Sequence, residues 1–167
     1  MSIPIAKIEA SRTGQGFTLV EVILVAVVLG LLLTAAVPRF QQTAQRLQTE
    51  QAAFSLAQLL RYAHERAVIQ GRAAVWVWNV EERRARVAQL EDDGQRQWLT
   101  EHVARSRPIH NDIAVTLARE GAEVDAVTFF PDGTSDAATL RVVHHPFSYT
   151  ITVDAATSQP VLSTTAP

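Results

Sequence analysis

The chain has no cysteine, so neither disulfides nor thiolate metal sites are available to it. Surplus charge is also scarce: the formal net charge is −2, and electrostatics alone draws the molecule toward neither nucleic acid nor anionic lipid. No G-x-S-x-G elbow exposes a serine nucleophile. No internal repeat or low-complexity linker interrupts the sequence, and beyond Arg141 no Lys or Arg occurs, so the C-terminal region has no basic arm. Charged residues make up 19% and hydrophobic ones 47%, which excludes a disordered chain and suits a folded domain with a membrane element.

Charge is missing most conspicuously from Val22 to Val37, inside a largely apolar run from Phe17 to Val37. A helix crossing the hydrocarbon core needs about 20 such residues. A short polar leader precedes it, with Lys7 and Arg12 against Glu9. Under the positive-inside tendency the leader is cytoplasmic and the chain beyond Val37 lies outside. A cleaved secretory signal ending near Thr34–Pro38 and a buried helix of a soluble protein are the competing readings. Neither accounts for Glu21, since a carboxylate at the bilayer centre costs about 2.5–3.5 kcal/mol and less near the interface. Phe17 and Glu21 stand four apart, on one helix face. A cut between Gly16 and Phe17 would create a cationic α-amine at that level, able to neutralise Glu21 of the same or a neighbouring subunit.

From residue 39 to residue 70 the helical rhythm continues. Phe40, Ala44, Leu47, Gln51, Phe54, Ala57, Leu60, Ala63 and Ala67 define a narrow seam, and Gln42, Arg46, Glu50, Gln58, Arg61 and Glu65 lie opposite. Gly71 is placed to end the helix as its C′ residue. One helix from Phe17 to Gln70 would run for roughly 80 Å. The period then changes to two, and strands are expected at Ala73–Val80, Ala85–Leu90, near Trp98–Val103, within Pro108–Ala118, at Val124–Phe130, and in three further segments up to residue 163. Pro131 to Thr134 reads as a turn, with Gly133 free to take positive φ. One helix followed by seven or eight strands makes an α+β fold with an antiparallel sheet.

Chemistry-bearing side chains are present but poorly arranged. Asp132, Ser135, Asp136 and His144 are the right types for a triad, yet a turn and a strand supply them without an elbow. His144 and His145 are adjacent, and neighbouring strand residues point to opposite faces. Glu91 to Gly94 lacks the alternating ligands of a calcium loop. Trp76 and Trp78 share a strand face and suit core packing. Arg83, Arg84 and Arg86 form a small basic cluster of the kind phosphate contact needs, with Glu81 and Glu82 beside it.

The segment "GFTLVEVILVAVVLGLLLTAAVP" resembles the class III signal of type IV pilins and type II secretion pseudopilins: a short basic leader, Gly before the cut, Phe after it, and Glu as the fifth mature residue. The stretch "AFSLAQLLRYAHERAVIQGRAAVWVW" resembles H-type pseudopilins and their minor-pilin relatives where the spine helix meets the first strand. Ala53, Leu56, Leu60, Ala63, Ala67, Val68 and Gly71 match that pattern in kind, and His64 stands where the group has Arg. "VTFFPDGTSDAATLRV" is similar to the group's turn between strands. The resemblance implies a leader over residues 1–16 and a transmembrane and assembly helix over 17–37. An amphipathic continuation over 38–70 and a β-rich head over 71–167 would follow. It further implies prepilin peptidase cleavage between Gly16 and Phe17, N-methylation of Phe17, an assembly register set by Glu21, and a helix kink at Pro38.

By the same resemblance the protein is a structural, non-enzymatic minor pseudopilin without cofactor or metal. It would be anchored in the inner membrane by a single pass, with a cytoplasmic leader and a periplasmic head. Its implied partners are major and minor pseudopilins in a filament, prepilin peptidase, the inner-membrane assembly platform and secreted exoproteins, rather than nucleic acid. The alternative within the superfamily is a minor pilin of a type IV pilus, including one that binds DNA during uptake.

Overall fold

The computed structural model describes residues 17–91, 93–106 and 108–165, the side chains of residues 34–39, 102 and 165 excepted. A single helix α1 runs over Leu19–Gln70. Thr18 opens it: its Oγ1 accepts a hydrogen bond from the Glu21 amide at 3.2 Å, satisfying one of the donors left over in a first turn. At the other end Gly71 takes φ +64°, the left-handed conformation that stops a helix at little cost only when no Cβ is present. The chain divides into two compact units, one up to Gln41 and the other Gln42–Pro167. The head unit therefore includes the second half of α1. The helix continues as one element through Pro38, whose side chain lies outside the described residues, as do the leader and Gly16.

In the head unit, α1 buries Thr49, Ala52, Ala53, Leu56, Leu59, Leu60, Ala63 and Ala67. This corrects the expected seam. Leu60, Ala63 and Ala67 lie on it, but Leu47 and Phe54 are 51% and 55% exposed. Two apolar stripes run along this helix about 140° apart, one through Leu47 and Phe54 and one through Ala53, Leu56 and Leu60. Periodicity alone merges them, and only the second faces the strands. Thr49 is accommodated in the core because its hydroxyl donates to the Gln45 carbonyl at 2.7 Å.

Among the described residues nine strands form two antiparallel sheets rather than one. The first, ordered β3-β2-β1-β6, comprises β1 (Ala74–Asn79), β2 (Arg84–Leu90), β3 (Arg96–Trp98) and β6 (Ala126–Phe129). The second, ordered β5-β4-β7-β8-β9, comprises β4 (Ala114–Arg119), β5 (Ala122–Glu123), β7 (Ala138–His144), β8 (Phe147–Val153) and β9 (Pro160–Thr165). The strand expected near Trp98–Val103 is displaced: β3 shares only Trp98 with it and lies at Arg96–Trp98, and His102–Ala104 is a 3-10 turn.

Trp76 pairs with Val87 and Val127, and all three are fully buried. From the second sheet Leu117, Leu140, Val142, Tyr149 and Ile151 enter the same apolar cluster as Trp76, Leu56 and Leu60 of the helix. Burying each large side chain contributes about 1.5–3 kcal/mol. A polar strap joins the sheets: Asp136 Oδ2 accepts from Arg119 Nη2 at 2.6 Å and from the Thr128 amide at 3.0 Å.

Two turns interlock on one side of the head. Asp132 Oδ1 accepts from the Thr134 amide and hydroxyl, with Gly133 at φ +88° as the turn sequence requires. Asp154 Oδ1 accepts from the amides of Ala156 and Thr157. These bonds hold both carboxyls below the usual range, the Thr134 hydroxyl being the main cause for Asp132 and the Thr157 amide for Asp154. Buried Ser158 donates its hydroxyl to the Gly133 carbonyl at 2.8 Å, and the Ser135 amide donates to the Ala155 carbonyl at 3.0 Å.

Candidate processing segment and head surface

Phe17 and the first turns of α1 carry the described part of the expected processing motif. From Leu19 to Leu33 every residue is exposed, on all sides of the helix. An apolar helix without a polar face has no aqueous reason to exist and is suited to lipid or to other apolar helices. Among the described residues no helix is long and apolar enough to cross a membrane. The described apolar run spans about 22 Å at 1.5 Å per residue. In sequence it stays apolar through Val37, beyond the described side chains. Glu21 sits in the exposed first turn and is its one acid. The Thr18–Glu21 spacing is that of a capping box, of which the bond from the Glu21 amide to Thr18 is formed. Thr18 went unnoticed in the sequence although T-x-x-E was legible there. It gives Glu21 a local role at the helix start as well as a charge.

The triad types do not converge. Asp136 is held by Arg119 and Thr128, Asp132 by its own turn, and Ser135 is buried with its hydroxyl unpaired. His144 lies on β7 and His145 in the turn that follows. Among the described residues no group of three His, Asp or Glu is placed to hold a metal ion. In the loop before β3, the Asp93 carboxylate accepts from the Gln95 amide and Glu91 pairs with Arg72 at 3.2 Å.

The basic cluster is engaged internally. Arg83 donates to the carbonyls of Ile109, His110 and Ile113, clamping the β1–β2 turn to the segment before β4. Arg84 pairs with Glu82 at 3.3 Å, and the Arg86 guanidinium lies 4.6 Å from the Trp98 ring centroid. Trp76 and Trp78 are core residues, whereas Trp98 is exposed. On the helix, Tyr62 donates its hydroxyl to Glu101 at 2.5 Å, and Arg66 pairs with the same carboxylate at 3.5 Å. Burial and then the Glu101 bond push the Tyr62 phenol up to about 12. His64, at the position where the resembled group has Arg, meets the edge of buried Phe129 with centroids 6.1 Å apart.

Residues 52–157, well over half of the chain, match the family described as type II transport protein GspH. The chain belongs to the GspH family. Residues 12–37 match a second model, the prokaryotic N-terminal methylation motif. The minor pseudopilin EpsH from the type 2 secretion system of Vibrio cholerae is 18% identical with a TM-score of 0.58, covering 73% of this chain and 96% of that one. A second EpsH structure gives 19% identity and a TM-score of 0.56, covering 72% and 98%. The type IV minor pilin FimU of Pseudomonas aeruginosa is 16% identical with a TM-score of 0.55, covering 74% and 92%. At these identities the likeness is one of fold: a pilin-like helix on antiparallel sheets. No curated protein is a sequence match. GspH membership makes the chain a type II transport protein, and the solved structures that share its fold are a minor pseudopilin and a minor pilin. The GspH match covers the buried helix positions from Ala52 to Ala67 and strands β1 to β8, whereas the methylation motif covers the apolar helix start.

Proposed function

We propose that this GspH-family chain is made as a prepilin, cut between Gly16 and Phe17 by prepilin peptidase, and methylated at Phe17. Residues 17–37 then hold it in the inner membrane, leader side cytoplasmic and head periplasmic, until it joins the tip region of a pseudopilus. It acts there without enzymatic activity, alongside major and minor pseudopilins, the assembly platform and secreted exoproteins. The observation that carries this reading is the pairing of a methylation motif over residues 12–37 with a GspH head over 52–157 on one continuous helix. The exposed apolar surface of Leu19–Leu33 supports it, because such a surface requires a non-aqueous partner.

Glu21 sets the register in this scheme. Its carboxylate is costly in lipid and is relieved on meeting the Phe17 amine of an adjacent subunit. Pro38 supplies the bend that lets neighbouring helices pack. Intact mass of the membrane-extracted protein should show loss of residues 1–16 and gain of one methyl group. Glu21→Ala and Glu21→Gln should both be processed and both fail to enter filaments. The Gln variant keeps a residue able to complete a capping box, so it separates loss of charge from loss of the cap. Cleavage near Ala36, or filament entry of either variant at the wild-type level, would refute the scheme.

A further inference from the structure

On the outer face of the first sheet an open groove of about 330 Å³ crosses from β3 toward the start of β6. Its face assignment follows from strand register. Trp98 pairs with Ala88, and Arg86 is two residues further along β2, so both side chains emerge on the face opposite Trp76 and Val87. Arg96, two residues before Trp98 on β3, emerges there too. Val77, the partner of Arg86, forms the floor, and Val80, 69% exposed, stands at one end. Glu81 and Asp125 line the far side.

Among the described residues neither Arg86 nor Arg96 has a carboxylate within 4.0 Å, and neither Glu81 nor Asp125 has a cation within that distance. The two signs are segregated by sheet order: cations on β2 and β3, acids beside the ends of β1 and β6. The Arg86 guanidinium lies over the Trp98 ring, 4.6 Å from its centroid. That cation–π contact favours one placement of the guanidinium before any ligand arrives, so capture of a carboxylate loses less rotamer freedom. Exposed Trp and Arg around a groove are the residue types that carry protein–protein binding energy.

We propose that this groove is a docking site for an extended polypeptide segment of a partner protein. The segment presents an acidic side chain to Arg86 and Arg96, an apolar residue to Val77 and Val80, and a basic side chain to Glu81 and Asp125. A nucleic-acid backbone fits worse, because uniform negative charge would meet the two acids as well as the two arginines. The site is independent of leader cleavage and of the role given to Glu21.

Trp98 is the reporter, since Trp76 and Trp78 are buried. Acrylamide quenching is followed on the full chain in detergent micelles, with the peptide acetyl-Glu-Ile-Val-Lys-amide as probe. The peptide should lower the quenching constant about two-fold at saturation, and acetyl-Lys-Ile-Val-Lys-amide should not. Arg86→Gln with Arg96→Gln should weaken the protection at least ten-fold, whereas Arg141→Gln, at an exposed position of β7 in the other sheet, should leave it intact. Circular dichroism matching the wild type excludes unfolding of the double variant, and Glu81→Lys provides a second route to loss of protection. Absence of protection, protection unchanged in the double variant, or equal loss in Arg141→Gln overturns the proposal. Stronger protection by a ten-base-pair duplex than by the peptide also overturns it, in favour of nucleic acid.

Discussion

Replacing Asp136 with Ala tests whether the two sheets are coupled by the strap between them. Its carboxylate accepts from Arg119 of β4, in the second sheet, and from the Thr128 amide of β6, in the first. The Arg119 and Asp136 side chains are 37% and 24% exposed, so the charged bond is discounted for solvent to about 1–2 kcal/mol. Removing the carboxylate also leaves the Thr128 N–H without its side-chain acceptor, a cost of about 1–2 kcal/mol for a half-buried donor. The backbone bond from the Asp136 amide to the Thr128 carbonyl survives, so the loss totals roughly 2–4 kcal/mol. For a head of this size that lowers Tm by roughly 8–15 °C. Asp136→Asn keeps an amide oxygen for Thr128 and should lose only about half as much. Urea unfolding of the full chain in micelles, followed by tryptophan fluorescence, measures both. A double-mutant cycle with Arg119→Gln should give a coupling of about 1 kcal/mol. The reasoning fails if Asp136→Ala lies within about 0.5 kcal/mol of wild type, or if Asn is as damaging as Ala.

Leu60→Ala, at a fully buried helix position, should cost about 2–5 kcal/mol in the same assay, while Phe54→Ala on the exposed stripe should cost far less. Gly71→Ala places a Cβ where φ is +64° but meets no atom within 4 Å; the loss should be about 1 kcal/mol, from backbone conformation alone. Tyr62 has a phenol pKa raised to about 12 against an ordinary 10, so the folded state holds that proton more tightly than the unfolded one. Its contribution is complete below pH 10 and is lost as pH rises from 10 through 12; Tyr62→Phe should remove that alkaline component from a pH-dependent unfolding series.

The element types were legible because their periods differ. Strands β6, β7 and β8 alternate in burial, and Gly71 and Gly133 take the positive φ that their turn positions demanded. The helix face was less legible, since Leu47 and Phe54 satisfy a 3.6-residue repeat as well as Leu56 and Leu60 do. Only the strands decide which stripe is covered. The division into two sheets was hidden for a related reason: strand order depends on long-range pairing, such as β1 with β6, that local pattern does not encode. The leader motif was legible as a string, Gly-Phe with Glu as the fifth residue counted from Phe17, but the cleavage proposed for it would be chemistry performed by another protein. Trp98 and Arg86 stand twelve residues apart in sequence, and nothing in the alternation of β2 or β3 announced their contact.

The bonds from Ser158 to Gly133 and from Ser135 to Ala155 make the turns before β7 and before β9 a single mechanical latch. Both turns are largely exposed, and exposed turns are where chains ordinarily accept insertions. Here neither opens without releasing the other, so their amide hydrogens should exchange together as one cooperative unit. A tag or loop inserted at either turn would disturb both sheets' connections at once, whereas the β1–β2 turn at Glu81 is tied instead to the segment before β4 through Arg83.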